Sequence, residues 1–141
     1  MRRFTKEWLI ASSDDLLTIH EIKEIGHLTH IVAFHAQQSV EKSLKALIEE
    51  YEIDIPKIHK LSKLQNILKG KIETLDESML TMLDELYIDS RYPGDMGLLP
   101  HGKPSLEDAE EFYIFAQDVL NKVCKILKIT MHDINGQENE K

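Results

Sequence analysis

Apolar residues recur at helical spacing along almost the whole chain, and no stretch alternates with a two-residue period between turns. Leu9, Ser12, Ser13, Leu16 and Ile19 or His20 trace a stripe that predicts a first helix from about Thr5 to about His20. Thr5 would be its N-cap and Glu7 lies in its first turn. Gly26 marks a break or a C-cap. A second helix is predicted from about Leu28 to Tyr51, with Ala33, Ala36, Val40, Leu44, Leu47, Ile48 and Tyr51 on one arc. Pro56 pushes Ile55 to an extended conformation and ends that region. A short third helix runs from about Leu61 to Lys69 and stops at Gly70. The fourth begins near Thr74 or Asp76, where Thr74-Leu75-Asp76-Glu77 reads as a capping box. It carries Leu75, Met79, Leu83, Leu86 and Tyr87 and ends before Pro93.

Residues Tyr92 to Pro104 hold three Pro and three Gly in thirteen positions, which predicts a loop, and loops of that length are often functional. The fifth helix starts at Ser105 with Asp108 three residues later, and Ala109, Phe112, Ala116, Val119, Leu120, Val123 and Leu127 form its stripe. The pattern predicts an all-α fold, an up-and-down four-helix bundle with an additional short helix. Residues 1–129 form the bundle domain and 130–141 a polar, flexible tail. Tyr113, Ile114, Phe115 and Ile126 lie off the main stripe of the fifth helix, so a second burial partner is expected, and a homodimer would supply one.

The opposite arc of the second helix carries His35, Gln38, Glu41, Lys42, Lys45 and Glu49. One reading is a solvated face in which Glu41 and Lys45, four apart, support the helix. The other is a set of donors gathered for a ligand. His35, Gln38, Lys42 and Lys45 are then nucleotide- or phosphate-binding candidates, joined by Arg91 and Tyr92 at the end of the fourth helix. A guanidinium meets phosphate in bidentate fashion. Arg91 near a helix C-terminus also complements the helix dipole. Asp14 and Asp15 sit inside the first helix, where Asp is a mediocre helix former, so one of them is either there for a partner or simply faces solvent.

Composition narrows the classes. The 141 residues amount to one domain, and the formal charge is −8 from 17 basic and 25 acidic residues, which disfavours bulk electrostatic binding of nucleic acid. A local basic pocket or a small nucleotide remains compatible. The single cysteine, Cys124, forms no internal disulfide and reads as a buried thiol in a cytoplasmic protein. No apolar run reaches signal-peptide or membrane-spanning length. His27 and His30 have i, i+3 spacing, but no Cys cluster or properly spaced carboxylate accompanies them, so neither a metal nor a cofactor is expected.

Several segments resemble the HEPN domain family, small helical modules that also occur at the end of sacsin. Phe34, His35, Gln38, Glu41-Lys42, Lys45 and Ala46 are similar to the family's second helix. His59-Lys60-Leu61 resembles its H-x-L segment, Ser90-Arg91-Tyr92-Pro93 its A/S-R-Y-P segment, and Trp8 with Asp15-Leu16 its first helix. The resemblance implies a four-helix architecture with a short extra helix, commonly paired as a homodimer. Asp15 is the acid that matches the family pattern and is a supporting residue. The resemblance further implies a nucleotide- or RNA-phosphate-binding module, with a minimal nucleotidyltransferase as its usual partner in a toxin–antitoxin pair. Many members resemble metal-independent ribonucleases, in which an Arg holds the phosphate and a His moves a proton. Here Arg91 and His101 would be the catalytic residues, but nine residues separate them, more than in the family's ribonuclease motif, and a Tyr follows the Arg. His35 is a second candidate base. The remaining alternative is a non-catalytic helical scaffold.

Overall fold

The computed structural model describes residues 1–89, 102–130 and 132–134. Its α-helices are α1 (Arg3–Ile22), α2 (Thr29–Glu50), α3 (Leu61–Ile67), α4 (Glu77–Asp89) and α5 (Leu106–Leu127), with a 3₁₀ turn at Gly26–Leu28 between α1 and α2. Among the described residues there is no strand, only an isolated bridge between Lys69 and Ile72. The fold is the all-α bundle that the apolar spacing predicts, four main helices and one short one.

Helix directions follow from which ends meet. Thr5 at the start of α1 donates to Glu50 at the end of α2 (3.0 Å), and Asp15 farther along α1 meets His35 near the start of α2, so the two helices are antiparallel. Lys23, just past α1, reaches Glu110 near the start of α5 at 2.7 Å, which makes α5 antiparallel to α1. Tyr87 at the end of α4 stacks on Phe34 at the start of α2, so α4 runs against α2. The four main helices therefore alternate in direction along the chain.

α2 is the packing centre, in contact with α1, α3, α4 and α5. Val32, Ala36, Val40, Leu44 and Leu47 on it are fully buried. They meet Leu9 and Ile19 of α1, Leu64 of α3, Leu80 and Leu83 of α4, and Phe112 and Val119 of α5 in one core. Removing such side chains from water is the main stabilising term. Small hydroxyl residues let α1 and α2 approach. Ser12 Oγ lies 2.8 Å from both Ser39 Oγ and Ser43 Oγ and donates to the Ser39 carbonyl at 2.9 Å, so these buried polar atoms are satisfied.

Helix ends show where local signals held and where packing overrode them. Ser105 and Asp108 form the complete capping box expected for α5. Asp76, not Thr74, caps α4, its Oδ1 accepting from Met79 N–H at 3.2 Å. α1 starts at Arg3 with Arg2 at the N-cap and no side-chain cap, so Thr5 lies inside the helix, where its hydroxyl donates to Glu50, and Glu7 falls beyond the first turn. Lys128 adopts a left-handed conformation (φ 59°) and Ile129 N–H returns to the Cys124 carbonyl, which ends α5.

Beyond α5, Thr130 and Asp133 exchange hydrogen bonds at 3.1 Å, and Ile134 is buried in the core. No helix among the described residues is long and apolar enough to cross a membrane. Cys124 is buried and its thiol is pushed up to about 11 by that burial, so thiolate is scarce near neutrality.

Candidate functional site

The polar arc of α2 is not a solvated face. A helix surrounded by four others has little solvent side, so its polar residues pair with one another and with neighbouring helices. Lys45 and Glu41 are both buried, with Nζ 3.1 Å from Oε2. The Lys45 ammonium also lies 5.5 Å from the Trp8 ring centroid, over the indole. Lys42 Nζ is 2.7 Å from Asp15 Oδ2, and His35 Nδ1 is 2.8 Å from Asp15 Oδ1. One buried carboxylate from α1 thus holds two of the α2 donors.

The sequence places Gln38 among the donors, and its side-chain amide donates to Gln37 Oε1 at 2.8 Å. Gln37, buried and absent from the candidate set, donates in turn to the His59 carbonyl (2.9 Å) and to Glu41 Oε1 (3.3 Å). His35 and Lys42 therefore share Asp15, and Gln38 and Lys45 belong to a second cluster with Gln37, Glu41 and His59. Ser90, Arg91, Tyr92, Pro93 and His101 lie outside the described residues.

His59 is a residue the sequence signalled only through its H-x-L segment. Its Nδ1 lies 3.1 Å from Glu41 Oε1 and 3.2 Å from Oε2. A carboxylate only accepts, so Nδ1 carries a proton and Nε2 is left for another partner. The same logic applies to His35 on Asp15. Two imidazoles are thus each oriented by a buried carboxylate. The His59 side chain is 55% exposed, far more than its partner at 5%.

A row of rings joins the two histidines. Phe34 meets His35 edge-on at 5.3 Å and stacks on Tyr87 at 5.5 Å with planes 26° apart, and Tyr87 lies 6.0 Å from His59. Tyr87 and His59 then line a pocket of about 480 Å³, together with Lys60, Ser62, Thr81, Asp84 and Glu85. Asp84 is buried and accepts from the Leu61 N–H with both oxygens, at 3.1 and 3.0 Å, so α4 caps α3. Burial pushes its carboxyl up, against the opposing hydrogen bonds from Leu61 and Gln37. A perturbed carboxyl, an oriented imidazole and a backed aromatic ring in one pocket are the ingredients of a binding site.

α4 ends at Asp89, so the pocket-lining Tyr87 precedes Arg91 by four residues in the chain. His27 and His30 fall outside this site. His30 is buried with its Nδ1 unpartnered among the described residues. No group of three His, Cys, Asp or Glu among the described residues is arranged to hold a metal ion.

No curated protein and no solved structure matches the chain. The sequence model of the HEPN domain matches residues 5–127, most of its length. The match spans α1 to α5 and takes in the paired donors of α2, His59 and Tyr87. The chain belongs to the HEPN domain family.

Proposed function

We propose that this protein is a nucleotide- or RNA-phosphate-binding module, the HEPN component of a toxin–antitoxin pair whose partner is a minimal nucleotidyltransferase, and that it assembles as a homodimer. The observation that carries the binding reading is the pocket between His59 and Tyr87. Tyr87 offers an aromatic wall backed by Phe34, which suits a base. His59 offers an Nε2 whose ring is fixed by Glu41, which suits accepting a hydrogen bond from a ribose hydroxyl. Arg91 follows four residues after Tyr87, within reach in sequence of the same end of α4. His35, Gln38 and Tyr92 add donors and stacking. Lys42 and Lys45 are part of the proposed binding face, where a phosphate reaching either one competes with Asp15 or Glu41.

A second reading is a metal-independent endoribonuclease using Arg91 and His101. What favours it is His35, whose Asp15 partner leaves Nε2 to move a proton. A short labelled RNA incubated in EDTA separates the two. The binding reading predicts that the RNA is retained by the protein and stays intact. Robust cleavage lost in His101→Ala would establish the ribonuclease instead. Neither retention nor cleavage would leave a helical scaffold.

A further inference from the structure

On the side formed by α1 and α5, a groove of about 330 Å³ runs between the two helices, lined by Leu16, Leu17, His20, Tyr113, Gln117 and Leu120. Its apolar floor belongs to the core, but its rim does not. Leu17 is 59% exposed, and Ile114, on the next ridge of α5, is 56% exposed. The other apolar residues that the sequence left over on α5 are largely accounted for, since Tyr113, Phe115 and Ile126 pack half-buried against the core. Two large aliphatic side chains on adjacent helices thus remain uncovered beside a groove.

Lys23, over the Tyr113 ring of the groove, is held by Glu110, and the unpaired charges beside Leu17 and Ile114 are acidic. Along α1, Asp14 and Glu21 lie three residues before and four residues after Leu17, on the same stripe. Along α5, Glu107 and Glu111 precede Ile114 on its own stripe. None of these four carboxylates forms an ion pair among the described residues, whereas Glu110 and Asp118 are already held by Lys23 and Lys122. An apolar stripe between two unpaired acidic stripes is the complement of an amphipathic helix with Lys or Arg flanking its apolar face. A second copy of this chain fits poorly, because an isologous contact here would set these carboxylates against their own kind.

We propose that the α1–α5 groove docks a basic amphipathic helix of another protein. Leu17 and Ile114 are its apolar anchors, and Asp14, Glu21, Glu107 and Glu111 fix the helix by charge. This site is separate from the His59–Tyr87 pocket, and the two readings stand or fall independently.

A labelled Leu/Lys amphipathic helical peptide tests it by fluorescence anisotropy. A scrambled peptide of equal composition and charge is the control. Leu17→Ser/Ile114→Ser keeps every charge and alters only exposed positions, and its melting curve reports whether it folds. Asp14→Asn/Glu21→Gln keeps the apolar surface. The docking site predicts that the amphipathic peptide binds the intact chain, that the serine variant weakens it about tenfold or more, and that the amide variant weakens it with a reduced salt dependence. The scrambled peptide should bind weakly and equally to the intact chain and the serine variant. Equal binding of both peptides to the intact chain and the serine variant would mean bulk charge alone and would overturn the proposal. So would no binding, or a dimer of the chain that the serine variant turns to monomer.

Discussion

Lys45 and Glu41, one turn apart on α2, form an ion pair inside the bundle, with 7% and 5% of their side chains exposed. Only a partner makes either charge tolerable at that depth. Lys45→Met leaves Glu41 with His59 and Gln37 alone and should cost about 3 kcal/mol of unfolding free energy by urea titration. Adding Glu41→Leu should recover most of the loss, since both charges are then gone. A cost for Lys45→Met below about 1 kcal/mol would mean the pair is screened like a surface one. Lys42 is about a quarter exposed and its loss leaves Asp15 still paired with His35, so Lys42→Ala should cost less than Lys45→Met, about 1 kcal/mol.

His30 gives the fold an acid-sensitive point. Burial first, and then the nearby Lys103 and His27 charges, push its imidazole below the ordinary 6.5. The folded state therefore binds fewer protons at this site than the unfolded chain does. The stability it contributes is fully present above 6.5 and is lost as pH falls from there through the folded value. Unfolding free energies measured above and below that pH should fall less in His30→Leu than in the intact protein. An equal fall in both would remove His30 as the cause.

Helix existence was legible in the sequence because apolar spacing reports burial directly. The Ser105 cap and the α5 stripe from Ala109 to Val123 appear as read, while Cys124 and not Leu127 completes the buried stripe. Leu80 was missed on α4, because Met79 looked equally good at helical spacing, yet Leu80 is fully buried and Met79 only partly. The α2 donors were legible as a group, but their engagement was not. Periodicity separates a polar arc from an apolar one and says nothing about whether other helices cover the polar arc. Lys45 needs Trp8 and Glu41, and His35 needs Asp15, and those meetings are set by the α1–α2 crossing. His59 and Tyr87 come from separate segments and meet only through tertiary packing, so no local pattern marks their pocket. Arg91, Tyr92 and His101 lie outside the described residues, and their place in the site rests on sequence.

Assembly can be checked without a ligand. A homodimer predicts a light-scattering mass of about twice 16.3 kDa. Leu17→Ser/Ile114→Ser should leave that mass unchanged, since the α1–α5 face is reserved here for a basic partner. A single-chain mass at high protein concentration would reject the dimer.

The central claim, that the chain binds nucleotide or RNA phosphate beside Tyr87 and His59, is tested most directly by thermal shift. Ligand that binds only the folded state stabilises it by about 2.7 kcal/mol at a hundredfold excess over Kd. ATP or a short RNA should therefore raise the melting temperature, and added salt should shrink the rise. His59→Gln and Arg91→Ala should each abolish most of it while melting as folded proteins on their own. No shift with any nucleotide or RNA in the folded protein, or a shift that both variants retain, would contradict the account.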